Sequence, residues 1–85
     1  MEIVYSKQSY NDYDKLKQHP TLLKKVKALI ELLKQNPFET PPSYEKLYGF
    51  ENVYSRRINT QHRLVYEIRK KENVVVIIRM WTHYE

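Results

Sequence analysis

The spacing of apolar residues predicts two amphipathic helices in the first half of the chain. In residues 21–35, apolar side chains recur at the spacing of a helix that packs one face on a core. This stripe consists of Leu22, Leu23, Val26, Leu29, Ile30 and Leu33. A second helix is predicted for residues 7–18, with Ser6 as its N-cap, because a serine hydroxyl accepts hydrogen bonds from the free amides of a first helical turn. Pro20 separates the two helices.

The remaining apolar segments predict strands. Residues 3–5 form a short candidate strand before the first helix. Residues 53–58 and 62–68 are rich in β-branched and aromatic residues and flank a short polar turn, so they predict a β-hairpin. Residues 74–81 are almost continuously apolar, as a central strand is. The order β-α-α-β-β-β therefore predicts an α+β fold, in which a small antiparallel sheet has the two N-terminal helices packed on one face.

The hairpin carries two arginines that are predicted to be neighbours. A turn at residues 59–61 pairs Ile58 with His62 and places Arg57 beside Arg63. Because side chains alternate between the faces of a strand, both arginines lie on the face opposite the helices, which we expect to be in water. Like charges side by side repel each other. Solvent, a carboxylate of the same chain or a bound phosphate could offset this repulsion, and arginine is suited to bidentate phosphate contacts.

The same alternation predicts which other side chains face the core. The core face of the hairpin consists of Tyr54, Arg56, Ile58, Leu64, Tyr66 and Ile68. In the last strand, the odd positions are assigned to the arginine face, on the assumption that this strand pairs beside residues 62–68. These positions are Val75, Ile77, Arg79, Trp81 and His83. Residues 38–50 show no periodicity and are predicted to be a loop, and a loop of this length in a small domain is often functional.

Composition and charge bound the class of protein. With 85 residues, the chain is predicted to be a single domain over residues 1–85. It has no cysteine, no signal peptide and no membrane-spanning run, so we expect a cytoplasmic protein. The net charge of +5 and the pI near 9.5 favour a polyanionic or acidic partner. The histidines lack the spacing of a metal site, and there is no glycine-rich phosphate loop and no G-x-S-x-G motif, so no metal or cofactor is expected.

The second half of the chain carries the groups that metal-free RNA cleavage requires. A base must remove the proton of the 2′-hydroxyl, an acid must protonate the leaving 5′-oxygen, and cations must stabilise the phosphorane. Glu45 in the long loop is the candidate base, and His83 is the candidate acid. Arg57 and Arg63 are the candidate cations. Taken singly, a glutamate in a loop is usually only solvated, and a histidine near the C-terminus is usually a surface residue.

Several motifs together resemble the YoeB/Txe toxins of the RelE/ParE toxin–antitoxin superfamily. Collinear with that family are S-R-R-I at residues 55–58, H-R-L-V-Y at residues 62–66 and H-Y at residues 83–84. The segment Y-N-D-Y at residues 10–13 is similar to the family's W-x-D-Y helix. N-P-F at residues 36–38 is similar to the P-F that ends its second helix. The resemblance extends over nearly the whole chain.

This resemblance implies a compact RelE-like fold, also called microbial-RNase-like, and an endoribonuclease that cuts translated mRNA in the ribosomal A site. By position, it implies that Glu45 is the general base, that Arg63 stabilises the transition state and that His83 is the general acid. It also implies a phosphate contact for Arg57 and a nucleotide-holding role for the terminal Tyr84. The residues that we expect to bind RNA or phosphate are Lys46, Arg56, Arg57, Arg79, Trp81 and Tyr84.

One departure from the family lies in the loop before the hairpin. The family has P-E-P-L-K there, whereas this chain has Y-E-K-L-Y at residues 44–48. The lysine after the leucine is missing, and Lys46 lies two residues earlier. If Lys46 turns toward the phosphate, it could replace the missing cation; if it turns away, the site has one positive charge fewer.

The resemblance also implies partners. It implies a YefM/Axe-like antitoxin, the ribosome with mRNA in its A site, a homodimer of the free toxin, and operator DNA that is contacted only through the antitoxin. An acidic, partly disordered antitoxin segment would neutralise the basic sheet face. Two other functions stay open: a ParE-like toxin that inhibits DNA gyrase by binding, and a basic RNA-binding module with idle site residues. A pure binder would not need a terminal acid, so the set of Glu45, Arg63 and His83 favours the nuclease.

Overall fold

The computed structural model describes residues 1–81, and this range contains two helices and five strands. In chain order, they are β1 (Glu2–Tyr5), α1 (Lys7–Leu16), α2 (Pro20–Gln35), β2 (Glu45–Lys46), β3 (Val53–Arg57), β4 (Arg63–Arg69) and β5 (Val74–Arg79). Every predicted helix and strand is present, and the α+β class is confirmed. The element that was not predicted is β2, a strand of two residues inside the segment that was expected to be a loop.

Local capping explains where the helices begin and end. Ser6 is the N-cap of α1, as predicted, and its Oγ accepts a hydrogen bond from the amide of Ser9 at 3.1 Å. α2 begins with Pro20, since a first helical turn does not need the N–H that proline lacks. Its C-cap is Asn36, whose amide donates to the carbonyl of Leu32 at 2.8 Å. Within residues 1–81, neither helix combines the length and the apolar character needed to cross a bilayer.

The five strands form one sheet in the order β1-β5-β4-β3-β2. The pairs β3–β4 and β4–β5 are antiparallel, as predicted, and β2 also pairs antiparallel with β3. β1 instead runs parallel to β5, with Glu2 opposite Val74 and Tyr5 opposite Ile77. The sheet is therefore mixed, and the predicted antiparallel arrangement does not extend to this edge. A parallel pair needs a long crossover connection, which the helices and the hairpin supply here.

The core lies between the two helices and one face of the sheet. The helices contribute Leu16, Val26, Leu29 and Leu33. The sheet and its flanking turns contribute Ile58, Leu64, Tyr66, Ile68, Val75, Ile77 and Met80. The predicted stripe of α2 is confirmed, because its other members Leu22, Leu23 and Ile30 pack against the margin of this core.

The pairing of β5 corrects the assignment of its faces. Val75 and Ile77 lie opposite core residues of β4 and are themselves buried in the core, so their assignment to the arginine face is wrong. A shift in register next to Tyr66 then places Arg79 opposite Val65, which belongs to the arginine face. Strict alternation cannot predict this change, because a β-bulge adds a residue to one strand only.

Candidate active site

The hairpin of β3 and β4 has the register that its sequence predicts, with Arg57 opposite Arg63. Asn59 fixes the turn between the strands. Its Oδ1 accepts hydrogen bonds from the amides of Gln61 at 2.9 Å and of His62 at 2.7 Å. An asparagine side chain that bonds to the backbone beyond it is a common turn device. The strand pairing therefore holds the two arginines as neighbours.

β2 brings Glu45 to this hairpin. Glu45 lies opposite Ser55 in the pairing of β2 with β3. Its Oε1 accepts a hydrogen bond from Nη2 of Arg63 at 2.8 Å, and Nε of Arg63 donates to Oγ of Ser55 at 3.0 Å. Of the candidate partners that could offset the arginine repulsion, a carboxylate of the chain itself is therefore the one that contacts Arg63.

The members of this cluster differ in exposure. The Arg63 side chain is 15% exposed, whereas that of Glu45 is 70% exposed. A guanidinium that is held on two sides is pre-organised to stabilise developing negative charge. An exposed carboxylate can reach a hydroxyl of a bound substrate and take its proton. Within residues 1–81, no group of His, Asp and Glu side chains is arranged to hold a metal ion.

The sheet face opposite the helices is only partly in water. Ser55 and Val65 each retain 1% of their accessible surface, so the expectation of a wet face is wrong for the middle of the hairpin. Arg57 and Glu45 are both exposed. Within the cluster, Glu45 and Arg57 are therefore the members most accessible to a substrate.

The structure does not bring Lys46 to this cluster. Lys46 follows Glu45 in β2 and lies opposite Tyr54 in the neighbouring strand. Since consecutive side chains of a strand point to opposite faces, Lys46 lies on the other face from Glu45 and Ser55. The prediction that it contacts the substrate phosphate is therefore not supported, and the departure from the family loop is not compensated at this position.

Arg56, which was predicted to bind RNA, is buried and serves the fold instead. Its side chain is completely inaccessible. Nε donates to the Tyr66 hydroxyl at 3.1 Å, Nη2 donates to the carbonyl of Pro37 at 2.9 Å, and Nη1 donates to the carbonyl of Pro42. The assignment to RNA binding is corrected for this physical reason. The sequence carried the signal, because strand alternation had already placed Arg56 on the core face with Tyr54.

These bonds anchor the segment that leads to Glu45. The guanidinium of Arg56 also lies over the Tyr44 ring, 5.2 Å from its centroid. The Tyr44 ring packs edge-on against Phe38 at 6.0 Å and Tyr54 at 5.7 Å. Burial raises the pKa of the Tyr66 hydroxyl, although the neighbouring Arg56 opposes this effect. The proline-containing loop is therefore tied to the sheet immediately before the candidate base.

Arg79 and Trp81 have partners within the chain. Nε and Nη2 of Arg79 donate to Oδ2 and Oδ1 of Asp12 at 2.8 and 3.2 Å. The indole of Trp81 stacks on His62 with a centroid distance of 3.9 Å and an interplanar angle of 24°. On another side, His19 lies 4.9 Å from the indole centroid. Contacts of these two side chains with RNA stay a prediction, and such contacts would compete with the interactions described here.

Asp12 is a residue to which the sequence reasoning gave no role. It lies in α1 and is completely buried. Burial on its own raises the pKa of Asp12, but hydrogen bonds from Arg79 and from the amides of Met80 and Trp81 outweigh it and hold the pKa below its ordinary value. A signal was present, since Asp12 is part of the Y-N-D-Y motif of the first helix.

The predicted acid His83 and the terminal Tyr84 lie outside the described residues. The last described residue, Trp81, lies two positions before His83 in the sequence. The structure therefore brings Glu45, Arg63 and Arg57 together, and the roles of His83 and Tyr84 remain those that the family resemblance implies.

Comparison with known proteins decides the family. A sequence model described as the YoeB-like toxin of bacterial type II toxin–antitoxin systems matches residues 5–84. The chain belongs to this family. It is 33% identical to Toxin YoeB of Synechocystis sp., in an alignment that covers 100% of this chain and 99% of that protein. As a member of the YoeB family, the protein is a toxin of a type II toxin–antitoxin system.

Solved structures of YoeB toxins share the fold. The YoeB/ParE toxin from Agrobacterium tumefaciens is 29% identical and superposes with a TM-score of 0.89, covering 99% of this chain and 100% of that chain. The YoeB dimer from Staphylococcus aureus is 33% identical, with a TM-score of 0.85 and coverage of 99% and 98%. The YoeB-YefM complex from the same organism gives a TM-score of 0.82 at the same identity and coverage. The predicted RelE-like fold is confirmed.

Proposed function

We propose that this YoeB-family toxin is a ribosome-dependent endoribonuclease that cuts translated mRNA in the bacterial cytoplasm without a metal ion. The observation that supports this most is the Glu45–Arg63 pair, in which an exposed carboxylate lies 2.8 Å from a guanidinium that a buried serine also holds. A base and a charge-stabilising cation side by side, on a sheet face with a second arginine, are the parts that phosphodiester transesterification needs.

In the proposed reaction, Glu45 removes the proton of the 2′-hydroxyl. The 2′-oxygen forms a bond to the adjacent phosphorus, and the bond between phosphorus and the 5′-oxygen breaks. Arg63 stabilises the charge on the phosphorane, and Arg57 binds the same phosphate. His83 protonates the leaving 5′-oxygen, and Tyr84 holds the nucleotide. The products are a 2′,3′-cyclic phosphate and a 5′-hydroxyl.

The ion pair between Glu45 and Arg63 must separate when the substrate binds. A scissile phosphate would bind the guanidinium of Arg63 in place of Glu45, and the released carboxylate would become the base. The pair can separate because the Glu45 side chain is 70% exposed and can return to water, while the phosphate replaces it at the less exposed guanidinium of Arg63. The bond from Arg63 to Ser55 would persist and keep the guanidinium in place.

In this proposal, the ribosome holds the mRNA strand in the geometry that cleavage requires. Among the described residues, the exposed members of the cluster are Glu45 and Arg57, and we infer that two exposed side chains do not by themselves hold an RNA strand in line for attack. Binding that fixes the reacting atoms removes much of the entropic barrier of such a reaction. We therefore propose that mRNA is cut only when the ribosome presents it in the A site.

The proposed partners follow from charge and from the relatives. The chain has a net charge of +5, and Arg57 is exposed on the candidate site. An acidic, partly disordered segment of a YefM/Axe-like antitoxin would neutralise and cover this site. The Staphylococcus aureus relative has been solved with YefM and as a dimer. We propose the same two assemblies here, with operator DNA contacted through the antitoxin.

Mapping of RNA 5′-ends after induction tests the nuclease. Wild-type protein is expected to create new 5′-ends within translated messages, and Glu45→Gln to reduce them by about 10²- to 10⁴-fold, the usual contribution of a general base. Glu72→Gln is the matched control, since Glu72 is 61% exposed and pairs with Arg69, away from the cluster. Growth arrest without new ends would contradict the proposal and favour a toxin that acts by binding alone.

A further inference from the structure

The carboxylate of Asp12, in α1, accepts four hydrogen bonds from residues at the end of β5. Besides the paired bonds from Arg79, its Oδ2 accepts hydrogen bonds from the amides of Met80 at 2.9 Å and Trp81 at 3.3 Å. A buried carboxylate is retained only when donors replace its lost hydration. Here all of those donors belong to three consecutive residues at the point where the chain leaves the sheet.

The N-terminal end of α1 is also hydrogen-bonded to β5. The amide of Ser6 donates to the carbonyl of Ile77 at 2.9 Å, and its hydroxyl donates to the carbonyl of Ile78 at 2.8 Å. From Ser6 to Asp12 a helix rises by about 9 Å, and the three residues from Ile77 to Met80 span about 10 Å of strand. The hydrogen bonds at Ser6 and at Asp12 are therefore about as far apart along α1 as their partners are along β5. Together they hold α1 alongside the end of β5.

The side chain of the last described residue is held too. Trp81 stacks on His62, and His62 directly precedes Arg63 in the sequence. The same ring also contacts His19, between the two helices. The backbone of Trp81 is thus fixed by Asp12, and its ring is fixed to the strand that carries the candidate catalytic arginine.

We propose that Asp12 is a positioning residue of the candidate site, which fixes the end of β5 and thereby holds Trp81 against His62, next to Arg63. This role rests on the proposed nuclease function. The paired bonds with Arg79 tie α1 to a side chain of β5, whereas the bonds from the two amides also fix the backbone at Met80 and Trp81.

The single tryptophan of the chain provides a direct test of this position. In Asp12→Asn, the acrylamide quenching constant of Trp81 is expected to rise toward that of free tryptophan, and its emission to shift to longer wavelength. Asp14→Asn is the control for charge, because Asp14 lies in the same helix, is 72% exposed and pairs only with Lys17 among the described residues. Ile68→Val is the control for stability, since it loosens the core in β4. Both controls are expected to quench like wild type.

The second arm measures cleavage on translating ribosomes. Asp12→Asn is expected to lower the rate at saturating ribosome concentration by about 10- to 100-fold, as misplacement of a reacting group does, with little change in KM. Ile68→Val is expected to keep the wild-type rate while it is folded. Wild-type quenching in folded Asp12→Asn, or a wild-type rate, would overturn the positioning role.

The two proposals can fail separately. If the wild-type protein does not cut RNA, the nuclease is wrong, and so is the role of Asp12 in cleavage, whatever the quenching shows. If the wild type cuts RNA and quenching in Asp12→Asn is unchanged, only the positioning role is wrong. Should Asp12→Asn fail to fold, Arg79→Gln replaces it, because loss of the paired bonds from Arg79 lets the carboxylate of Asp12 move away from the two amides. It is expected to show the same effects in smaller size, and wild-type values in both arms would overturn the proposal.

Discussion

At the scale of single residues, three arginines close together in the sequence have different environments. Arg56 is buried and bonds to the loop, Arg57 is exposed, and Arg63 is held between Glu45 and Ser55. Their positions in the alternation of the strands decide this, since neighbours on one strand face opposite ways. Residue type alone suggests phosphate binding for all of them, which is why Arg56 was assigned to RNA.

Arg56→Ala is expected to destabilise the fold. It removes three hydrogen bonds, including the one to the buried Tyr66 hydroxyl, and opens a cavity where the buried side chain lay. We expect the free energy of unfolding to fall by about 2–5 kcal/mol, as measured by urea denaturation.

Arg57→Ala is the matched control for this prediction, because Arg57 is the adjacent arginine and is exposed. Its free energy of unfolding should stay within about 0.5 kcal/mol of wild type. Equal urea midpoints for Arg56→Ala and wild type would contradict the anchoring role.

At the scale of elements, the sequence predicts those features that depend on a regular period or on local spacing. The stripe of α2, the N-cap Ser6 and the register of Arg57 with Arg63 are features of this kind, and all are confirmed. The faces of β5 are not predictable in this way, because the bulge beside Tyr66 changes the count. β2 also escapes prediction, since two residues are too few to show a period and its pairing depends on β3.

The same distinction applies to the candidate site: residues in regular elements could be predicted, and residues placed by long-range contacts could not. Arg63 could be predicted because it lies in a regular hairpin, and Glu45 could be proposed only as a nearby loop residue until β2 placed it opposite Ser55. Asp12 could not be assigned from spacing, because its partners lie at the other end of the chain and only the packing of α1 on β5 brings them together. Long-range contacts of this kind leave no local pattern in a sequence.

The strand pairing of β2 predicts that Lys46 is dispensable for cleavage. It lies on the face opposite Glu45, so Lys46→Gln should change the rate on translating ribosomes by less than about threefold, or under about 0.7 kcal/mol. Glu45→Gln, one position away in the same strand, is the comparison and should lose most of the activity. A loss for Lys46→Gln that approaches that of Glu45→Gln would show that Lys46 turns to the substrate.

At the scale of the whole molecule, folding and the proposed chemistry use opposite faces of one sheet. The helices cover one face and build the core with Tyr66, Ile77 and their neighbours. Arg57, Arg63 and Glu45 occupy the other face near its edge strand β2. Changes in the site should therefore leave the fold intact, which makes activity separable from stability in this small protein.

The most direct test of the central claim is cleavage of a defined mRNA in a purified translation system, with and without ribosomes. The wild-type protein should cut only in the presence of ribosomes, leaving a 2′,3′-cyclic phosphate and a 5′-hydroxyl. Folded Arg63→Ala should be slower by about 10²- to 10³-fold, as when one charge-stabilising donor is lost. Wild-type cleavage by Arg63→Ala, or no ribosome-dependent cleavage by the wild-type protein, would contradict the account.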